Sequence, residues 1–218
     1  MKAVIFDMDG VIVDSEPLHI RAEHQTFAGF GLKLEDEEFF EYMGRTPRIL
    51  LQGIIDKYHL DTSADALYPV HMRNLKTLYQ SGVLLMKGAM PLIEELSAAG
   101  IRLALASSSD QVLIDTVLDK FDLKSYFHVV VSGQHVARIK PHPDIFLLAA
   151  RHLNLPPADC LVIEDSTNGI RAARAAGMAC VGFRSPNSHN QTYDIADRVV
   201  DSLSELNVSV LNDIKYPA

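Results

Sequence analysis

Two aspartates separated by one residue follow the first apolar run of the chain. Residues 4–6 are β-branched or aromatic, which is typical of a buried strand, and Asp7 and Asp9 come directly after them. Ligands of open α/β sheets bind beyond the carboxyl ends of the strands. Two carboxylates held side by side repel each other, so this placement favours a role in binding a divalent cation or in handling a phosphoryl group.

Polar side chains follow the later apolar runs in the same way. They lie at or beyond the ends of three such runs: Ser107 and Ser108, then Lys140, then Glu164 and Asp165. If the strands are parallel, these residues and the first two aspartates gather along one edge of the sheet. Carboxylates suit Mg²⁺, and a lysine with a hydroxyl suits the oxygens of a phosphate.

The alternation of apolar runs with helical periodicity predicts the fold class. Strands are predicted for four further short runs and a weaker fifth, at residues 102–106, 128–131, 161–163, 179–182 and 198–200. Apolar residues at helical spacing fill the gaps, at residues 90–99, 110–121, 143–153 and 167–176. Strand–helix alternation with right-handed crossovers gives an α/β fold with a doubly wound parallel sheet.

A long segment separates the first predicted strand from the second. About 95 residues lie between them, far more than one crossover helix requires. Helices are predicted throughout this segment, near residues 18–30, 35–43, 47–57 and 64–79. We therefore expect an all-helical cap domain at residues 16–82, inserted into a core domain formed by residues 1–15 and 83–218.

Composition limits the classes of partner. The chain has 218 residues, 48% of them hydrophobic, and a formal net charge of −8, which argues against nonspecific binding to nucleic acid or to an anionic membrane. No apolar run approaches the roughly 18 residues of a membrane span, and the first residues lead straight into a strand. We expect a cytoplasmic monomer with two reduced, buried cysteines, Cys160 and Cys180.

The motifs together resemble the haloacid dehalogenase superfamily of phosphotransferases. Four blocks occur in the order of that family: Asp7-Met8-Asp9-Gly10-Val11, Ser107 at a strand end, Lys140-Pro141 ahead of Pro143-Asp144, and Glu164-Asp165-Ser166. The resemblance covers nearly the whole chain. The helical insertion after the first block is similar to the cap of the subgroup that contains β-phosphoglucomutase and small sugar-phosphate phosphatases.

The resemblance implies a reaction through a phosphorylated aspartate. Asp7 would attack the phosphorus, and Asp9 would protonate the leaving oxygen and then deprotonate water. Mg²⁺ would be bound by Asp7, by the carbonyl of Asp9 and by Asp165, with Glu164 also assigned to its shell. The charge of the metal and of a nearby lysine would offset the repulsion between an anionic nucleophile and an anionic phosphate.

Substrate contacts are expected from both the core and the cap. Ser107, Ser108 and Lys140 are assigned to the oxygens of the phosphoryl group. Gly44 and Arg45 lie at a loop-to-helix junction of the cap, where a guanidinium can bind a second phosphate or sugar hydroxyls. The expected partner is a small phosphorylated metabolite.

Two further cap residues are candidates for the site. His19 matches a histidine that helps to place the acid–base aspartate in β-phosphoglucomutases, and we count it among the substrate-binding residues. A histidine on a helix surface is an equally good interpretation. Arg48 follows Arg45 closely and is a second candidate to meet phosphate or hydroxyl groups.

Two enzymatic functions fit these residues, and they differ in what accepts the phosphoryl group from Asp7. A Mg²⁺-dependent phosphatase of small sugar or polyol phosphates uses water, whereas a β-phosphoglucomutase uses a sugar hydroxyl. The mutase cap loop usually reads Lys-Gly-Val-Ser-Arg, but Met43 stands in place of that lysine here. Mutases also carry a lysine on a later helix of the cap. Leu75 stands near the matching position here, and Lys76 is one position away from it. We therefore favour the phosphatase.

Three other functions are less well supported by the sequence: a dehalogenase, a phosphonatase and a binding module without catalysis. A dehalogenase would not need Asp9. A phosphonatase would be expected to carry a Schiff-base lysine in the cap, whose early part offers only Lys33 and Lys57. A binding module on a phosphatase scaffold would be expected to lose at least one catalytic block. All four blocks are present.

Overall fold

The computed structural model describes residues 1–42 and 45–214. Its strands are β1 Ala3–Phe6, β2 Val13–Asp14, β3 Leu84–Leu85, β4 Arg102–Ser107, β5 Val129–Ser132, β6 Cys160–Glu164, β7 Ala179–Phe183 and β8 Arg198–Val200. Its α-helices are α1 Glu16–Phe27, α2 Glu37–Phe40, α3 Pro47–Tyr58, α4 Ala64–Gly82, α5 Ala89–Ala98, α6 Gln111–Lys120, α7 Asp144–His152, α8 Thr167–Ala175 and α9 Val208–Asn212. Single turns of 3₁₀ helix occupy Ala28–Phe30, Gly133–His135, Pro157–Asp159 and Leu203–Glu205.

Within the described residues, six parallel strands form the main sheet in the order β5-β4-β1-β6-β7-β8. β1 lies inside the sheet, where Phe6 is in register with Leu105 of β4 and Ile163 of β6. The carboxyl ends of these three strands therefore meet, and the residues that follow them share one edge. The predicted parallel sheet is confirmed, including its weakest strand.

Apolar side chains on both faces of β1 hold helices against the sheet. Val4 and Phe6 face one layer of the core and Ala3 and Ile5 the other, because successive side chains of a strand alternate. Helices α5, α6 and α9 pack on the first face, and α7 and α8 pack on the second. Burial on both faces explains why the core strands are continuous apolar runs.

Helices α1 to α4 form the predicted all-helical insertion, which lies between β2 and β3. They enclose a separate cluster of buried apolar residues that includes Phe27 on α1, Phe39 on α2 and Ile54 on α3. α4 packs against both α1 and α3, and it also contacts α6 of the core. The bounds of a cap domain at residues 16–82 stay a prediction.

Three short elements differ from the expectation. The segments that enter and leave the insertion pair as two antiparallel strands, β2 and β3. Each has only two residues, which is too short for an alternation of apolar and polar residues to be recognised. The helix expected at residues 35–43 is wrong in extent, because Glu37–Phe40 is the helical part of residues 35–42. The short helix α9 was not expected, since five residues show little periodicity.

Membrane-spanning helices are absent from residues 1–42 and 45–214, because no helix there is both long and apolar enough. Cys160 and Cys180 are buried free thiols, as the sequence predicted. The monomeric state and the cytoplasmic location stay predictions.

Candidate active site

The residues after β1 form a tight loop that presents the two aspartates. The backbone N–H of Asp7 donates to the carbonyl of Ile163 at 3.0 Å and so continues the sheet. Gly10 has a φ of +77°, and a Cβ there would lie 1.9 Å from Oδ2 of Asp165. Glycine is required at this turn, and its lack of a side chain lets Asp165 approach the loop.

Lys140 is a buried cation at this edge of the sheet. Its Nζ donates to Oδ1 of Asp7 at 2.5 Å, to Oε1 of Glu164 at 2.8 Å and to the carbonyl of Ala106 at 3.2 Å. Burial alone would lower the pKa of this ammonium, but the two carboxylates outweigh burial and hold the pKa above its ordinary value. Lys140 therefore stays positively charged against the candidate nucleophile.

Glu164 is held by groups of this chain at both carboxylate oxygens. Oε1 accepts from Lys140, while Oε2 accepts from the backbone N–H of Ser166 at 2.7 Å and from its hydroxyl at 2.9 Å. Gly169 leaves the room for this, since a Cβ there would lie 1.7 Å from Oε1 of Glu164. In this arrangement Glu164 helps to orient Lys140, and its assignment to the shell of the metal stays a prediction.

Asp9 accepts hydrogen bonds from side chains of both the core and the insertion. Its Oδ2 accepts from the hydroxyl of Ser109 at 2.6 Å and from that of Ser107 at 3.3 Å. Its Oδ1 accepts from the hydroxyl of Ser15 at 2.7 Å and from that of Tyr79 at 2.5 Å. These hydroxyl groups fix the orientation of the carboxylate.

His19 joins this network from α1. Its Nε2 lies 3.0 Å from the hydroxyl oxygen of Tyr79 and 3.8 Å from Oδ1 of Asp9. Burial would lower the pKa of the imidazole, but Asp9 outweighs burial and raises that pKa to about 9. Burial also opposes the ionised form of Asp9, yet His19, Ser109 and Tyr79 hold its pKa below the ordinary value. The structure thus places His19 beside Asp9.

Asp165 brings a further carboxylate to the same edge. It accepts a hydrogen bond from the hydroxyl of Ser188. Burial and the neighbouring carboxylates of Glu164 and Asp7 raise its pKa well above the ordinary value. Burial also raises the pKa of Asp7 to about 8, although Lys140 opposes that shift. The edge therefore carries more acidic groups than its one lysine offsets.

These donors fit a small divalent cation. Mg²⁺ prefers carboxylate and carbonyl oxygens and keeps several of its waters, so a complete protein cage is not needed. Within the described ranges, no three acidic, histidine or cysteine side chains lie close enough to be a metal site by themselves. The carboxylates of Asp7 and Asp165 meet this requirement at the cavity, while the carbonyl of Asp9 stays a predicted third ligand, with water completing the set.

The three consecutive serines that begin at the last residue of β4 take different positions. Ser107 is fully buried and accepts the backbone N–H of Ser109 at 3.0 Å. Ser108 and Ser109 line the central cavity. Ser109 lies just before α6, where a serine is typical of a helix cap, but Asp110 is the N-cap residue. The hydroxyl of Ser109 donates to Asp9 instead. The loop therefore offers Ser108 and Ser109 to a ligand.

A cavity of about 150 Å³ separates this edge of the sheet from the helical insertion. Of the predicted substrate contacts, Ser108 and Lys140 line it from the core, and His19 and Arg45 line it from the insertion. Gly44 lies outside the described residues. A ligand in this cavity would contact both parts of the chain.

Arg48 bonds to side chains of the insertion instead of lining the cavity. Its guanidinium pairs with Asp65 and lies 4.1 Å from the centre of the Tyr68 ring. The hydroxyl of Tyr68 in turn donates to Asp110 of the core at 2.7 Å. Of the two arginines considered as substrate ligands, Arg45 is therefore the one at the cavity.

Sequence reasoning did not single out three residues that contact the aspartates, namely Ser15, Tyr79 and Ser188. Tyr79 lies in the apolar pattern of α4 and is fully buried, so the pattern alone predicts a core residue. Ser188 lies in the loop after β7. The rule that polar residues beyond parallel strands share one edge could have directed attention to this loop, although several other polar residues lie in it.

The chain matches the haloacid dehalogenase-like hydrolase family over residues 4–183. Fructose-1-phosphate phosphatase YqaB of Escherichia coli (strain K12) is 33% identical over 183 residues, which cover 83% of this chain and 95% of that protein. Hexitol phosphatase B of the same strain is 30% identical over 213 residues, which cover 94% of this chain and 93% of that protein. Two longer relatives are matched over 20% and 54% of their own length.

A solved structure shows the same fold. CbbY from Rhodobacter sphaeroides, crystallised in complex with phosphate, has a TM-score of 0.86 and 30% identity, with 97% of this chain and 99% of that chain covered. The parallel sheet, with its edge of carboxylates and a lysine, and the family match together define the protein as a hydrolase. The chain belongs to the haloacid dehalogenase-like hydrolase family, which confirms the resemblance inferred from its four motifs.

Proposed function

We propose that this phosphoric monoester hydrolase releases phosphate from small sugar or polyol phosphates through a phosphorylated Asp7, with Mg²⁺ as its cofactor. One observation carries the proposal: Nζ of Lys140 lies 2.5 Å from Oδ1 of Asp7, at the floor of the cavity. A carboxylate in this position can approach an anionic phosphate because the lysine offsets the charge repulsion. The similarity to fructose-1-phosphate phosphatase YqaB and to hexitol phosphatase B supports phosphorylated hexoses and hexitols as substrates.

In the first step, an oxygen of Asp7 forms a bond to phosphorus while the bond from phosphorus to the sugar oxygen breaks. Asp9 gives its proton to the departing oxygen. The negative charge of a bound phosphate would raise the pKa of Asp9 from its lowered value, which favours the protonated form that this step requires. Lys140 and the serines after β4 face the charge that spreads over the phosphoryl oxygens.

In the second step, water attacks the phosphorus and frees Asp7, and Asp9 accepts a proton from that water. The hydroxyl groups of Ser15, Tyr79 and Ser109 stabilise the ionised carboxylate that acts as the base. Mg²⁺ held by Asp7, Asp165 and the carbonyl of Asp9 would supply positive charge at the phosphoryl group.

The cavity supports a small substrate. Its volume of about 150 Å³ is below the roughly 300 to 1,000 Å³ of pockets for drug-sized ligands. Two contacts between the insertion and the core enclose it: Tyr68 donates to Asp110, and the Phe40 ring stacks on His189 with 4.4 Å between ring centres. A small phosphorylated metabolite fits this enclosure better than a phosphorylated macromolecule.

The mutase is the second candidate, and the position of one lysine disfavours it. Lys76 lines a surface groove between α4 and α6, whereas its neighbour Leu75 lines the cavity. The lysine that the mutase group carries on this helix therefore has no substitute at the cavity among the described residues. The loop that differs from the mutase pattern includes Met43 and Gly44, which lie outside those residues.

The accepting group decides between the two functions. Enzyme with Mg²⁺ is incubated with a panel of hexose and hexitol monophosphates, including β-glucose 1-phosphate with a trace of the 1,6-bisphosphate. We expect free phosphate to appear in proportion to the substrate consumed. Glucose 6-phosphate formed without free phosphate would identify a mutase, and no product from any member of the panel would refute both functions.

Removal of divalent metal is expected to abolish phosphate release, and added Mg²⁺ to restore it. Because ligand binding stabilises the folded state, Mg²⁺ is also expected to raise the unfolding temperature of the metal-free protein. This rise is expected to disappear in Asp165→Asn and to persist in Asp119→Asn, a surface variant on α6. Activity that survives chelation, or a rise in unfolding temperature that survives Asp165→Asn, would contradict the assigned ligands.

A further inference from the structure

Glu23 is a buried carboxyl group that the reaction described above does not use. It lies on α1 one turn beyond His19, is 6% exposed and lines the insertion side of the cavity. Its Oε2 has no hydrogen-bond partner within the described residues. Leaving a buried polar atom unpaired destabilises the folded state, so an unpaired carboxyl oxygen at a cavity points to a ligand that pairs with it.

His71 supplies a second polar group from α4, the helix that packs against α1. Thr26 donates its hydroxyl to the carbonyl of Ala22 at 2.6 Å and lies 3.3 Å from Nδ1 of His71. Nδ1 must therefore carry the hydrogen and donate to Thr26, which leaves Nε2 as an acceptor. Burial, with the nearby charge of His19, lowers the pKa of His71 to about 4, so the ring is neutral at pH 7. His71 lines the same cavity as Glu23.

The charges around Glu23 favour hydroxyl groups over a second phosphate. Burial raises its pKa to about 8, with Glu16 and Asp36 adding to the shift and His19 opposing it. A protonated carboxyl can donate one hydrogen bond and accept another, which is the pairing that a hydroxyl group offers in return. A phosphate oxygen there would face the acceptor nitrogen of His71 and the negative charge of Glu16.

We propose that Glu23 and His71 form a hydroxyl-binding subsite that makes the enzyme prefer polyhydroxylated phosphates over alkyl or aryl phosphates. The inference rests on the proposed function and names the groups that select its substrate. The core edge with Asp7 and Lys140 holds the phosphate, while the subsite on α1 and α4 pairs with hydroxyl groups at the other end of the molecule. Glu23 is in this sense a specificity-determining residue.

Competition between two matched ligands tests the subsite without requiring that either be hydrolysed. p-Nitrophenyl phosphate is the reporter substrate, and hexitol monophosphate and hexyl phosphate, which differ only in hydroxyl groups, are the inhibitors. We expect the wild type to bind the hexitol phosphate about tenfold more tightly than hexyl phosphate. Glu23→Leu is expected to lose this preference, and Glu23→Gln, which keeps a donor and an acceptor, to retain most of it.

Two controls distinguish a loss of ligand preference from a loss of folding stability. Glu94→Leu, at an exposed position on α5, is expected to keep the wild-type preference. Glu23→Leu is expected to unfold at a temperature no lower than the wild type, because it removes an unpaired buried carboxyl. Equal preference for both inhibitors in the wild type, or the wild-type preference in Glu23→Leu, would overturn the inference. So would a fall in unfolding temperature with equal loss of affinity for both inhibitors.

The same experiment distinguishes two other outcomes: that Glu23 binds a group other than a hydroxyl, and that the protein is not a phosphatase. If Glu23 instead binds a cation, an amino sugar phosphate will bind more tightly than the hexitol phosphate and Glu23→Gln will lose that binding, which overturns the hydroxyl subsite. Phosphate release from the hexitol phosphate is measured in parallel. A hydroxyl preference without any release would support the subsite and refute the proposed phosphatase.

Discussion

Asp7→Asn is expected to reduce phosphate release by about a thousandfold or more. The asparagine amide is a poor nucleophile and cannot form the acyl phosphate on which the reaction depends. Its oxygen can still accept the hydrogen bond from Lys140 that Oδ1 accepts at 2.5 Å in the wild type, so the fold is expected to persist. Initial rates with p-nitrophenyl phosphate and a hexitol phosphate measure the loss, and circular dichroism checks the fold.

The matched control for this variant is Asp119→Asn, which removes a surface carboxylate that pairs with Lys124. It makes the same chemical change far from the cavity and is expected to leave the rate at the wild-type level. A folded Asp7→Asn protein that retained about a tenth of the wild-type rate would show that another group attacks the phosphorus.

Lys140→Met is expected both to abolish turnover and to destabilise the fold by about 3 kcal/mol or more. The methionine leaves Asp7 and Glu164 buried next to each other without the ammonium that now bonds to both. The carboxyl groups would then have pKa values above those of the unfolded chain. The loss of stability is therefore full at alkaline pH and shrinks as the pH falls and the folded state takes up protons. Urea unfolding at several pH values measures it.

A second substitution separates the two roles of Lys140. Lys140→Met combined with Glu164→Gln removes one of the two facing charges, so part of the lost stability is expected to return. Turnover is expected to stay abolished, because the cation at Asp7 is still missing. Restored turnover in the double variant would mean that Lys140 only neutralises Glu164 and does not assist the attack of Asp7.

The catalytic edge could be predicted from the sequence because its residues follow strands. Asp7, Ser107, Lys140 and Asp165 each come at or after the end of a buried apolar run, and the parallel sheet places such ends together. Neither residue spacing nor apolar pattern depends on the details of packing. The same logic fixed the fold class and the presence of inserted helices.

The cap side of the site could not be predicted, because the direction of a helical side chain depends on tertiary packing. Tyr79 lies on the apolar face of α4, which predicts a core residue, yet its hydroxyl donates a hydrogen bond to Asp9. The sequence made both Arg45 and Arg48 candidate ligands, but the structure pairs Arg48 with Asp65. Glu23 is a candidate because its Oε2 has no hydrogen-bond partner among the residues that the structure describes, and a sequence pattern cannot show this.

The most direct test of the central claim is to trap the phosphorylated residue. Asp9→Asn lacks both the acid of the first step and the base of the second. The substrate is therefore p-nitrophenyl phosphate, whose leaving group needs no proton, and phosphorylated Asp7 is expected to accumulate when the variant is mixed with it and Mg²⁺. Acid quenching, reduction with borohydride and peptide mass spectrometry convert an acyl phosphate to homoserine and locate it. We predict homoserine at position 7. Homoserine at another carboxylate such as Asp165, or none after substrate has been consumed, would contradict the account.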